Sequence, residues 1–377
     1  MTTLGLPAFT ERLLDLLDTG RRTSTYKYAL LLGMIDSIAS HTTAAGKAPA
    51  AVSVRDLAPR IIAIYWQQTL PWGRDQPNAD LPLRQNNGGQ AEIVARIVEF
   101  RDAVARSDAA MPFGHVRKAF GPEADRLIDH VRWKLIQMPI PRLQRAEGLN
   151  DPFIYEIGWD ENVSRAAALS ADFDDRLRLV SGAGEHLLSM APLIRPLVQR
   201  SWALAVARMN HLEEADYLEQ YLFDARRLSL GRVHTELRDL HHGRCFYCGR
   251  PVTTGGQIDH FIPWSRHFDN SIQNLVYAHD ACNNSKRAYL ASADHLANWV
   301  ERMRDGTETA DALRGIAAER GWESRPNETL AIARGSYLKL TGAARLWSAK
   351  GPPAVLKPAS VEELKAALSH AGSPGRE

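Results

Sequence analysis

The sequence predicts a mainly α chain of the α+β class. A large helical N-terminal region precedes a small segment of two strands and a helix, and a helical C-terminal extension follows. Apolar residues recur at three- and four-residue steps through roughly the first 200 residues. All three cysteines fall in one short stretch, Cys245 to Cys282, and helical spacing resumes beyond residue 292.

At 377 residues the chain is long for one core, so two or three domains are expected. Charged residues make up 24% and the formal net charge is +2. That balance excludes a strongly basic protein that coats nucleic acid nonspecifically, and it leaves room for a local basic groove. The opening MTTLGLPAFTERLLDLL lacks a basic stretch, an apolar core and a small-residue cleavage site, so a cytoplasmic location is expected. No apolar run reaches the length of a membrane span; YALLLGMIDSIAS meets Asp36 and reads as a buried helix, so no membrane partner is expected. Cysteines in a reducing compartment argue for metal ligation rather than disulfides.

Helical spacing covers FTERLLDLLDTG, TYKYALLLGMIDSIASH and VRDLAPRIIAIYWQQTL. Stretches around 71–90 and 138–152, rich in Pro, Gly and Asn, interrupt it. The second is where this helical domain, expected over 1–228, can divide into two subdomains. In the first, Asn86-Asn87-Gly88-Gly89 reads as a turn before a capped helix, and Trp66 and Trp72 read as core. FIYEIGW follows as a short strand. MAPLIRPLVQRSWALAVARMNHL is a long helix that must tolerate Pro192 and Pro196 by a kink or a late start. SLGRVHTELRDLHHG is a helix with Ser229 as N-cap and Gly243 as stop. A small domain is expected over 229–300. SADHLANWVERMRDG and ETLAIARGSYLKLTGAARLW then read as helical, within an extension over 301–377 whose tail, HAGSPGRE, is expected to be disordered.

Cys245 and Cys248 form a C-x2-C pair in a turn closed by Gly249, and His279 and Cys282 form an H-x2-C pair at the start of a later helix. Four soft or borderline ligands in two pairs suit a closed tetrahedral Zn2+. A closed site has no place for water, so this zinc is expected to be structural, clamping a segment with few apolar residues. His241 and His242 form no such pair with Cys282 and read as helix-end or surface residues.

Between the pairs, GGQIDHFIPWS carries Asp259 and His260 on a strand ended by Pro263. SIQNLVYAH supplies a second strand with Asn274 at its head, and CNNSKRAYLAS opens a helix. With these residues in this order, the chain resembles the HNH endonuclease family, with its ββα-metal arrangement, over about residues 229–300. The resemblance implies that His260 is the general base and that Asp259 is a ligand of the catalytic cation. Successive strand residues point to opposite faces, so that pairing calls for a twist or bulge. Asn274 matches the residue that pins the loop and orients the base. Asn283 matches the family's final letter and would coordinate Mg2+ or Mn2+ with Asp259, an oxygen set suited to a hard cation. Taken singly, Asp259 also reads as a turn residue, Asn274 as a strand start, Asn283 or Asn284 as a helix cap, and His260 as a core histidine. Lys286 and Arg287, one turn into the last helix, are candidate nucleic-acid contacts at a backbone phosphate, with Arg244, Arg266 and His267 as weaker ones.

The resemblance implies a metal-dependent DNA endonuclease leaving 5′-phosphate and 3′-hydroxyl ends. Because such sites meet backbone phosphate, duplex DNA, single-stranded DNA and RNA stay open as substrates. By architecture the flank would select the target, as in restriction or anti-phage defence. A zinc-stabilised module that binds nucleic acid or protein without cleavage, and an RNase or nickase acting within a complex, are the alternatives. A protein partner or self-association through the helical regions stays open.

Overall fold

Helix dominates wherever the sequence offers one continuous apolar face. The computed structural model describes residues 4–18, 24–72, 81–104, 112–144, 152–160, 162–212, 216–223 and 230–369. They cluster into two units, Met1–Ile38 with Pro49–Leu228, and Ala39–Ala48 with Ser229–Glu377. Among the described residues no helix is long and apolar enough to cross a membrane.

The first unit contains α1 (Leu6–Asp18), most of α2 (Tyr26–Ser40), α3 (Val54–Trp66), α4 (Glu92–Val104), α5 (Phe113–Ala119), α6 (Gly121–Gln137), α7 (Pro139–Arg142), α8 (Arg165–Ala168), α9 (Ala183–Asn210) and α10 (Asp216–Phe223). Strands β1 (Ala51–Ser53), β2 (Tyr155–Glu156) and β3 (Arg176–Leu179) form an antiparallel sheet in the order β1-β3-β2. The start of α3 shows how the sequence sets an element: Ser53 lies in extended backbone and its hydroxyl accepts from Asp56 N at 3.1 Å, capping the helix. From there Val54, Leu57, Ala58, Ile61, Ile62 and Tyr65 face the interior.

The late start expected for the proline-bearing helix does not occur. α9 begins at Ala183 and runs through both Pro192 and Pro196. Two lost backbone bonds are outweighed by its buried face of Leu187, Ile194, Val198, Trp202 and Val206, and by the buried Arg195–Asp36 ion pair at 2.5 Å. Trp202 Nε1 donates to Gln85 Oε1 at 2.8 Å, and Gln85 Nε2 donates to Gln68 Oε1 at 3.0 Å. These buried amides are thereby satisfied. Trp66 is core, and Trp72 lies edge-on to Tyr221.

The second unit opens with a 3-10 turn, Leu230–Val233, and α11 (His234–Leu240). Ser229, the expected N-cap, lies outside the described residues, and α11 stops at Leu240, before Gly243. The ββα core follows: β4 (Gly256–His260), β5 (Leu275–His279) and α12 (Asp280–Lys286). Then come α13 (Ala293–Glu301), α14 (Glu308–Glu319), α15 (Pro326–Tyr337), the hairpin β6 (Arg345–Ser348) with β7 (Gly351–Val355), and α16 (Pro358–Ser369). The chain is thus mainly α with small sheets, as the apolar periodicity predicts.

One expected helix is partly a strand. The apolar spacing of ETLAIARGSYLKLTGAARLW continues past Tyr337, yet Arg345–Ser348 is β6. Long-range pairing decides it: Trp347 N donates to Leu290 O at 2.8 Å, Ser292 N donates to Trp347 O at 2.7 Å, and the Trp347 ring is buried. Residues 39–48 group with this unit, where Gly46, at φ +74°, lies so close to Leu338 that a Cβ would fall 2.7 Å from the leucine Cβ. The tail HAGSPGRE lies outside the described residues.

Candidate functional site

The sulfurs of Cys245, Cys248 and Cys282 and a ring nitrogen of His279 all lie within 4.8 Å of one another. The first pair sits on a knuckle in which Gly249 N returns to Cys245 O at 2.9 Å, a turn that holds Gly249 at φ +70°, the region that favours glycine. His279 ends β5 and is the N-cap of α12, which places Cys282 on the helix's first turn. His279 Nε2 contacts Pro251 O at 3.1 Å, so this nitrogen carries the proton. Nδ1, 3.3 Å from Cys248 Sγ, is left with its lone pair facing the sulfurs. Burial and the neighbouring sulfurs of Cys245 and Cys248 push the Cys282 thiol up to about 12. A dication relieves that opposition, and one nitrogen with three sulfurs is a donor set that fits structural zinc.

β4 and β5 pair antiparallel in unbroken register, from Gly256 opposite His279 to His260 opposite Leu275. No bulge interrupts this ladder, so Asp259 and His260 point to opposite faces, which corrects the expectation that a bulge pairs them. On the face that meets α12, Tyr247 Oη donates to Asp259 Oδ2 at 2.6 Å and Lys286 Nζ donates to the same oxygen at 2.9 Å. Burial, then Asp259, raises the Tyr247 pKa, keeping its hydroxyl a donor. Two residues back along β4, Gln257 Oε1 accepts from Asn283 Nδ2 at 2.9 Å. Asn283 and Lys286, one helical turn apart, therefore meet Gln257 and Asp259, one strand repeat apart. No hydrogen bond joins Asp259 to Asn283. Among the described residues neither Asp259 Oδ1 nor Asn283 Oδ1 accepts a hydrogen bond.

Lys286 corrects a sequence expectation. It is 0% exposed, and its ammonium also donates to His260 O at 2.8 Å, so it does not reach a phosphate. Burial draws its pKa down, and Asp259 acts in the opposite direction. Arg287, the next residue, is exposed and adopts φ +49°. That conformation is sparsely populated for a side chain with a Cβ, and strained residues concentrate at functional sites. Among the weaker candidates, Arg244 holds Gly249 O at 3.1 Å, Arg266 Nε holds Ala288 O at 3.2 Å, and His267 is buried.

His260 is 7% exposed on the other face of β4, with the Trp264 ring 5.1 Å away. Its Nε2 contacts Asn270 Oδ1 at 2.9 Å. Burial, the largest influence, lowers the imidazole pKa against the opposing effect of that contact, and this favours the neutral ring. Asn274, 0% exposed, pins the loop after β4: its Oδ1 accepts from Ile262 N at 2.8 Å, and its Nδ2 donates to Ile262 O at 3.2 Å and Asp269 O at 3.0 Å. Its own carbonyl accepts from Phe261 N at 2.7 Å.

Two family models match this chain: residues 245–292 match the HNH endonuclease model, and residues 7–224 match a domain of unknown function, DUF8808. The second spans more than half of the 377 residues. The chain belongs to the DUF8808 family and carries an HNH endonuclease domain. No curated protein and no solved structure matches it.

In the HNH domain of this DUF8808 protein, sequence reasoning missed three contributors. Tyr247 lies between the first two cysteines, where any residue satisfies the C-x2-C spacing. Asn270, in the Asp-Asn-Ser run before the second strand, carries only a turn signal. The third contributor lies beyond residue 292: Trp347 donates through Nε1 to Ser285 Oγ at 3.0 Å and stands edge-on to the Tyr247 ring at 5.0 Å. It buttresses the tyrosine that holds Asp259, and nothing local in its sequence marks that role.

Proposed function

We propose that this chain is a metal-dependent endonuclease that hydrolyses DNA phosphodiester bonds, with His260 as the base that activates water. The observation that carries the reading is the state of this imidazole within a segment matching the HNH endonuclease family. Asn270 engages Nε2, and Nδ1 bears no hydrogen bond among the described residues. A neutral ring with a lone pair at Nδ1 is the form that takes a proton from water. The water oxygen then attacks phosphorus as the bond to the 3′ oxygen breaks, and that oxygen takes up a proton from solvent, giving 5′-phosphate and 3′-hydroxyl ends.

Asn274 holds the loop that follows the base, and Asp259 Oδ1 with Asn283 Oδ1 would hold Mg2+ or Mn2+. Such a cation, when bound, supplies stabilisation of charge on the phosphate and the departing oxygen. The Cys245, Cys248, His279 and Cys282 cluster takes the structural zinc and stays outside the chemistry. Arg287 contacts the DNA backbone, and the DUF8808 region selects the target in a restriction or defence role.

A second reading is a zinc-stabilised binding module that does not cut. The observation favouring it is that Asp259 Oδ2 is already taken by Tyr247 and the Lys286 ammonium, on the face of β4 away from His260. Incubating the zinc-loaded protein with plasmid, single-stranded DNA and RNA, each with Mg2+ or Mn2+, separates the two. Cleavage of DNA by wild type and its loss in His260→Ala supports the hydrolase. Binding with every substrate left intact supports the module.

A further inference from the structure

Among the described residues the His260 ring has one hydrogen-bond partner, Asn270, and that residue is held from far along the sequence. We infer that Asn270 is the positioning residue that fixes the tautomer of His260, and that the segment Trp322–Thr329 in turn fixes Asn270. The inference rests on the reading of His260 as general base. An amide oxygen facing Nε2 at 2.9 Å demands a proton on that nitrogen, which leaves the lone pair at Nδ1.

Asn270 is itself anchored through its backbone, because Trp322 Nε1 donates to Asn270 O at 2.6 Å. Its neighbours are fastened to the same segment. Thr329 Oγ1 donates to Asp269 Oδ2 at 2.7 Å, and Ile272 N donates to Glu323 O at 2.8 Å. Arg325 N donates to Ser271 Oγ at 2.8 Å, and Gln273 Nε2 donates to Ser324 Oγ at 2.9 Å. Asp269 and Thr329 are fully buried, where a broken hydrogen bond leaves a costly unsatisfied group. All of these tethers come from residues beyond 245–292, the span that matches the HNH endonuclease model.

The test uses the full-length, zinc-loaded chain and plasmid DNA. Asn270→Leu keeps the branched side-chain outline and removes the acceptor; Asn270→Asp keeps an acceptor. Asn270→Leu is expected to lower kcat by about 10- to 100-fold, the usual effect of losing an orienting partner, with KM, zinc content and melting temperature close to wild type. Asn270→Asp is expected to restore most of the rate, and Trp322→Phe to give a smaller loss of kcat alone. The 15N signals of the His260 ring are expected to show protonation at Nε2 in wild type and a tautomer mixture in Asn270→Leu. Unchanged kcat in Asn270→Leu beside an active wild type, or an unchanged tautomer, overturns the inference. A wild type that cuts nothing while its tautomer follows position 270 overturns the base assignment and leaves the orientation standing.

Discussion

Lys286 separates two roles that look alike in a sequence. A basic residue one turn into a helix beside a nuclease motif reads as a phosphate contact, yet Lys286 ends α12 and four methylenes carry its ammonium inward to Asp259 Oδ2 and His260 O. Lys286→Met therefore strips the part-buried Asp259 carboxylate of its only cation among the described residues, leaving the Tyr247 hydroxyl, and is expected to cost about 3 kcal/mol in urea unfolding. The salt dependence of DNA binding, measured in a His260→Ala background, should be unaffected in those Lys286→Met molecules that fold. Arg287→Ala should instead reduce the slope of log K against log salt by about one, as the loss of one phosphate contact does. The opposite pattern would make Lys286 the DNA contact. The grouping of Cys245, Cys248, His279 and Cys282 is legible in the sequence because a tetrahedral donor set dictates paired spacing. Asn270 is not, since an asparagine before a serine in a loop looks the same whether it turns the chain or orients a base.

At the scale of the element, the cysteine knuckle and the ββα core share a residue. His279 is a cluster member, the last residue of β5 and the N-cap of α12 at once. Cys282→Ser should release zinc and unfold residues 245 to 290, seen as loss of metal by atomic spectroscopy and rapid amide exchange across β4 and β5. A fully folded protein without zinc would refute the clamp. Helices were legible from periodicity, including α9, whose two prolines argue against it locally but whose buried face outweighs them. β6 was not, because its identity comes from bonds to Leu290 and Ser292, more than fifty residues earlier. Local pattern carries no information about such a partner.

Across the whole molecule, histidines drawn out of water contribute to the response to acid. Burial, then the charges of Arg302 and His242, lowers the His241 pKa to about 3, and burial likewise lowers those of His260 and His295. An imidazole whose folded pKa is depressed contributes stability that is complete above its ordinary, unfolded value. That contribution is lost as pH falls toward the folded value, because the unfolded chain then binds the extra proton. Stability should therefore be level near neutral pH and decline from about pH 6 downward. His241→Leu should flatten part of that decline in denaturant titrations followed by tryptophan fluorescence. A decline that is equally steep in the variant would assign it to other groups. The presence of a large helical region beside a small ββα core that carries the Cys/His cluster was legible from where the cysteines fall. The grouping of residues 39–48 with the second unit was not, since no composition shift marks it.

The most direct measurement is the rate at which supercoiled plasmid disappears in Mg2+ or Mn2+, for wild type and for His260→Ala at equal zinc content. With His260 as general base, wild type converts the plasmid to open and linear forms, and the variant does so about 100-fold more slowly or worse. Equal rates in the two proteins, or intact plasmid in both under either metal, would contradict it.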